Sequence, residues 1–168
     1  VFSNLIGGAT LVYLVPRYKT PQLFLPSYVW SIVISLIAFL FLYFFPVIDR
    51  SFSFHIAILA AINSFSSINS NILIGKERIK DANMISLLQP FITVVILILL
   101  FAVFSMTNVY AYILSLYISF LIGWLSGIVF LRKVPLLSNF SFVEGIIVVR
   151  DMFKFGFLNQ LAHITQLM

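Results

Sequence analysis

The sequence predicts an all-α, polytopic transmembrane helix bundle, and three observations carry that prediction. The 168-residue chain is 62% hydrophobic and only 9% charged, whereas a soluble domain carries about a quarter charged residues. Too few charges remain to dress a water-facing exterior of this size. The apolar residues fall into runs close to the roughly 20 residues that a helix needs to cross the hydrocarbon core of a bilayer. The cations sit in or beside the gaps between those runs, and nine of the ten belong to alternate gaps.

The first run, residues 1–15, stops at Pro16-Arg17-Tyr18-Lys19-Thr20-Pro21, where two prolines and two cations oppose a buried helix. The second, residues 26–45, carries no charge and has Tyr28 and Trp30 near one end and Tyr43 near the other, the ring types that favour the headgroup boundary. The third covers residues 52–74, the fourth 84–104 and the fifth 109–131, with 105–108 as a short polar turn. Together, residues 1–131 form the transmembrane bundle. Residues 132–151 are interrupted by Pro135, Ser138, Asn139, Ser141 and Glu144 and read as a cytoplasmic or interfacial connection, partly an amphipathic helix ending at Arg150-Asp151. A further span begins at residue 152 and runs to 168. The chain opens on Val1, already inside an apolar run, so the expectation is four complete spans with a truncated one at each end.

Basic residues set the expected orientation, because cytoplasmic loops near span ends collect Lys and Arg. Arg17 and Lys19 follow the first run, Lys76, Arg78 and Lys80 the third, and Arg132, Lys133, Arg150 and Lys154 the fifth. The alternate gaps hold only Arg50. Nine cations against one puts 17–25, 75–83 and 132–153 inside, a pattern that a wrong helix count would scramble.

Several function classes drop out. Cysteine is absent, so there is no disulfide framework and no thiolate metal site. His55 and His163 are the only imidazoles, and neither belongs to an HExxH-type pair, so no metal and no cofactor is expected. The net charge of +5 does not point to nucleic acid, because the cations line the span ends. The partner they imply is the bilayer itself.

The third span is not a plain lipid anchor. At about 100° per residue, Asn63, Ser64, Ser66, Ser67, Ser70 and Asn71 share an arc of about 160°, while Ala61, Ile62, Phe65 and Ile68 take the other side and Asn69 falls among them. Lipid cannot satisfy such groups, so they face either a wet cavity or a neighbouring helix; both readings stay open. Asn159, His163 and Gln166 form a smaller stripe in the last run, with Gln160 at its edge, and His163 is the side chain there able to titrate near neutral pH. His55, beside Asp49-Arg50, reads as an exposed interfacial residue. Asp49, Glu77, Asp81, Glu144 and Asp151 all fall in gaps or at span ends.

Ser115, Ser119, Gly123 and Gly127 recur every four residues, a small-residue stripe that lets another helix approach closely. Pro90, beside Gln89, is expected to bend the fourth span. The basic hairpin 75–83 lacks the GxxxxGK[ST] pattern of a phosphate-cradling loop. Its Lys76, Arg78 and Lys80, with Arg17 and Lys19, are candidates for topological charge or for contact with lipid headgroups or a pyrophosphate.

Four stretches carry a family resemblance. Gly8-Ala9-Thr10-Leu11-Val12-Tyr13-Leu14-Val15-Pro16-Arg17-Tyr18 resembles the end of the second span in Wzx-type lipid-linked oligosaccharide flippases, polysaccharide exporters of the multidrug/oligosaccharidyl-lipid/polysaccharide superfamily. The stretch from Asn71 through Gly75-Lys76-Glu77-Arg78 to Asn83 resembles that family's inner loop between spans four and five. Phe153-Lys154-Phe155-Gly156-Phe157-Leu158-Asn159-Gln160-Leu161 is similar to the start of its span seven, and Arg132-Lys133 would close span six. The resemblance implies spans two to seven of a MATE-like transporter, most of one six-helix lobe and the start of the second. It further implies flipping of an undecaprenyl-pyrophosphate-linked oligosaccharide across the bacterial inner membrane by alternating access, with no bond made or broken. The cavity would then be lined by Asn63, Ser66, Ser67, Ser70, Asn71, Asn159, His163 and Gln166. Coupling to H+ or Na+ stays open. The alternatives are a cation-coupled multidrug efflux transporter of the same superfamily and a membrane-embedded polysaccharide polymerase or glycosyltransferase.

Overall fold

The computed structural model describes residues 7–45, 49–132 and 142–166, with the side chains of 145–159 in the last stretch. Among the described residues there are six helices and no strand: α1 Ala9–Leu14, α2 Thr20–Phe44, α3 Arg50–Gly75, α4 Ile79–Ala102, α5 Val109–Leu131 and α6 Phe142–Gln166. Helices α2 to α5 have 25, 26, 24 and 23 residues. At 1.5 Å per residue each is about 35–39 Å long, more than the roughly 30 Å of a hydrocarbon core. All four are apolar enough to cross it. The protein is a multi-pass membrane protein.

Boundaries follow local chemistry. α5 covers the expected 109–131, and the polar turn before it works as a cap: Asn108 accepts from the Ala111 N–H at 3.2 Å. Asp49 caps α3 in the same way, accepting from Ser51 N–H. α2 starts six residues earlier than expected, at Thr20. Pro21 lies in its first turn, where the missing N–H has no intrahelical partner to lose. As a result Tyr28 sits eight residues inside the helix rather than near its end. α4 starts at Ile79 instead of 84, with Asp81 favoured by the positive end of the helix dipole. α6 runs through Arg150 and Asp151 without a break, so the expected division between an interfacial helix ending there and a span from 152 corresponds to no helix end. Of the first run, α1 covers six residues and follows Gly8, whose φ of 59° lies in the left-handed region; residues 1–6 lie outside the described set.

α3 is the hub, packing against α1, α2, α4 and α5; α4 packs along α5, and α6 against α1 and α2. Close approach rests on small residues. Ser115, Ser119, Gly123 and Gly127 are all buried along α5. A Cβ on Gly127 would lie 2.7 Å from Asn69 Cβ, and one on Gly123 would lie 2.5 Å from Gln89 Nε2. Ser27, Ser31 and Ser35 form a second buried stripe on α2 with the same spacing. At Gly75, a Cβ would meet Val15 Cβ at 2.7 Å.

The apolar core joins Leu11, Leu14 and Val15 of the α1 segment to Leu23, Ile72, Leu73, Ile85, Leu131, Val148 and Met152. It therefore gathers at the end of the bundle where α1 leads into α2, α3 into α4, and α5 ends. Two polar ties close the same end: Tyr18 Oη donates to Asp151 at 2.5 Å, and Arg78 donates to the Phe130 carbonyl at 2.6 Å. The cation-bearing loops after α1 and α3 thus share one end with the close of α5, while Arg50 starts α3 at the other.

Candidate functional site

Burial divides the polar arc of α3 into two sets with different work to do. Asn63 and Ser67 are exposed, and Ser64, Ser70 and Asn71 are half-buried. With Ala60 they follow the i, i+3, i+4 spacing of one helix face. Asn63 lies thirteen residues from the start of α3 and twelve from its end, which is about 18–20 Å from either and so near the middle of the membrane. Asn71 Nδ2 donates to Ser67 Oγ at 3.3 Å, linking the lower half of the face. A carboxamide open to hydrocarbon at that depth would cost several kcal/mol, so this face requires polar company.

Ser66 does not join it. Although it lies on the same polar arc and the family resemblance implies that it lines a cavity, it is buried and accepts from Gln89 Nε2 of α4 at 2.9 Å. Around Gln89 the bonding continues, because its carbonyl accepts from Ser119 Oγ of α5 at 2.7 Å, and Thr93 Oγ1 lies 2.8 Å from Ser119 Oγ. Ser66 therefore joins α3 to α4 and, through Gln89, to α5. The correction has a simple cause: a 160° arc is wide enough for its edge to fall under a neighbouring helix.

Asn69, which the periodicity assigns to the apolar side, is fully buried and ties three helices. Its Oδ1 accepts from Tyr28 Oη of α2 at 2.9 Å, and its Nδ2 donates to the Trp124 carbonyl of α5 at 3.4 Å. Trp124 Nε1 donates to Tyr28 Oη at 3.0 Å, which closes the ring of contacts. Tyr28 also stacks on Phe65 with centroids 4.5 Å apart. The signal in the sequence was the pairing of a polar side chain on one span with glycine on another, since Gly127 leaves the space that Asn69 fills.

Comparison with the models of known families, with curated proteins and with solved structures finds no match.

The candidate cations separate in the same manner. Arg78 is held inside the bundle end by Asp81, at 2.6–2.7 Å, and by the Phe130 carbonyl. Arg17 lies 4.0 Å over the Tyr13 ring. Lys19 and Lys80 are exposed, and Lys76 is half-buried at the end of α3. Tyr18, in the loop between α1 and α2, has its phenol pKa raised above the usual 10, first by the hydrogen bond it gives Asp151 and then by burial. His55 is half-buried rather than freely exposed, with Nδ1 3.1 Å from Tyr117 Oη of α5. Asn159 is half-buried on α6, while the side chains of Gln160, His163 and Gln166 lie outside the described residues. Among the described residues, no three His, Cys, Asp or Glu side chains group as a metal site.

Proposed function

We propose that the chain is part of a MATE-like transporter lobe that flips an undecaprenyl-pyrophosphate-linked oligosaccharide across the bacterial inner membrane by alternating access. The observation that carries this reading is the exposed face of Asn63 and Ser67 at mid-membrane depth, continued by Ser70 and Asn71, on a helix whose Ser66 and Asn69 are instead bonded to neighbouring helices. Amide and hydroxyl groups in a membrane interior are matched by a water-filled path, and they offer sugar hydroxyls both donors and acceptors. The family resemblance of the α1 end, the α3–α4 loop and the α6 segment supplies the substrate class. The cation-rich end is cytoplasmic in this reading, so the lipid-linked unit enters from that side. Rocking of two lobes about the face of α3 supplies the motion.

The test is transport by the full-length protein in cells that depend on it for a surface polysaccharide. Asn63→Leu combined with Ser67→Ala is expected to reduce export at unchanged amounts of folded protein. Export at the wild-type level would remove the α3 face from the pathway.

A further inference from the structure

Lys80 is an inner-end cation that the fold leaves exposed, and it opens a groove of about 750 Å³ along α4. The groove is lined by Lys80, Asn83, Met84, Leu87, Leu88 and Phe91, which follow the i, i+3, i+4, i+7, i+8, i+11 pattern of a single helix face. Its two polar side chains are together at the cation-bearing end, and everything beyond them is hydrocarbon or thioether. Lys80 to Phe91 is a rise of about 16 Å, close to half of a roughly 30 Å hydrocarbon core. The groove therefore has the polarity and length of one leaflet. Of the four spans, α4 also buries the smallest share of its length, so this face is open to whatever surrounds the bundle.

We propose that the groove binds an anionic glycerophospholipid of the inner leaflet. Lys80 Nζ and the Asn83 amide hold the headgroup phosphate, and one acyl chain lies along Met84, Leu87, Leu88 and Phe91. Lysine supplies the selectivity, because a negative headgroup is drawn to it whereas a zwitterionic one brings its own cation against the ammonium. A free phosphate would use the polar end alone and leave the apolar wall unoccupied. The site is separate from the α3 face and does not depend on the transport reading.

These 168 residues contain no cysteine, so Val94→Cys, one turn beyond Phe91 on an exposed position, serves as the attachment point for a fluorophore once any cysteine elsewhere in the protein is replaced. The full chain would be reconstituted in vesicles containing brominated phosphatidylglycerol or brominated phosphatidylcholine, and quenching measured against mole fraction. The phosphatidylglycerol curve is expected to reach half-quenching at a several-fold lower mole fraction. Lys80→Gln should bring the two curves together, and Lys80→Arg should keep them apart. The proposal is overturned by equal curves in the wild type, by a preference that survives Lys80→Gln, or by quenching from neither lipid, which would mean that protein covers the face. Loss of the preference in millimolar inorganic phosphate would also overturn it, by making Lys80 a site for the free ion.

Discussion

Removing the Tyr28 hydroxyl and the Asn69 carboxamide, singly and together, tests whether α2, α3 and α5 are held by polar bonds at membrane depth. Tyr28 Oη donates to Asn69 Oδ1 at 2.9 Å. Asn69→Leu keeps most of the volume and deletes the acceptor, and Tyr28→Phe deletes the donor while keeping the ring stacked on Phe65. Interhelical bonds of this kind average about 0.6 kcal/mol in double-mutant cycles, with a maximum of about 1.7. Asn69 is fully buried and Trp124 Nε1 loses its partner when Tyr28 is changed, so the coupling here is expected in the upper half, about 1–1.7 kcal/mol. The chain has two tryptophans, and Trp30→Phe leaves Trp124, itself a member of the network, as the reporter. Unfolding by SDS titration in mixed micelles, followed by Trp124 emission, gives the four stabilities. A double variant whose loss equals the sum of the single losses within about 0.3 kcal/mol would show that the pair does not couple, and the account of the bundle interior would be wrong.

Overpacking gives an ordered pair: Gly127→Ala drives a methyl into Asn69 Cβ, next to the α3 backbone, and should cost about 1–3 kcal/mol. Gly123→Ala would bring its Cβ within 2.5–2.8 Å of Nε2, Cγ and Cδ of Gln89, whose amide is bonded to Ser66, and should cost at least as much, so a clearly smaller loss in the same titration would contradict the packing described. At the α3–α4 turn, Glu77 has φ 61°, with Glu77 N–H bonded to the Ile74 carbonyl and Arg78 N–H to the Leu73 carbonyl. This is a Schellman cap carrying a non-glycine residue. Glu77→Gly should therefore raise stability by about 1 kcal/mol, and a loss would refute the cap. Donation to Asp151 holds the Tyr18 phenol protonated, so its contribution is complete below pH 10 and disappears as pH rises through the raised folded-state value. Stability against pH should fall on the alkaline side above 10, and Tyr18→Phe should flatten that limb; an identical limb in the variant would exclude Tyr18 as its source.

The spans were legible because twenty-residue apolar runs and their caps are local features. α5 falls on its expected boundaries for that reason, with Asn108 as a visible cap. Pro21 looks like a stop signal in the sequence, yet proline in a first turn is compatible with a helix, so α2 extends back to Thr20. The charges of Arg150-Asp151 suggest an interface in the sequence, whereas α6 continues through them and Asp151 is partnered by Tyr18 across the bundle end. Such partners lie far along the chain, and periodicity carries no information about them. The same limit governs the site. Helical spacing identified one polar side of α3, but which of its residues meet another helix depends on where α4 and α5 pack. Ser66 moved inside by that route, and Asn69 gained its role because Gly127 on another span makes room for it. Arg78, a candidate for topological charge or headgroup contact, is bonded to Asp81 and to the Phe130 carbonyl near the end of α5, partners that the spacing of the loop does not show.

Thiol accessibility on α3 bears most directly on the claim that one face of this helix meets water inside the membrane. These 168 residues contain no cysteine; with any cysteine elsewhere in the full-length protein replaced, single Asn63→Cys and Ser67→Cys variants in native membranes should react with a charged, water-soluble maleimide. Ser66→Cys, and Ile98→Cys on an exposed apolar position of α4, should stay unmodified. Labelling at 63 and 67 no faster than at 98 would mean that the face is sealed from water, and the translocation path built on it would be refuted.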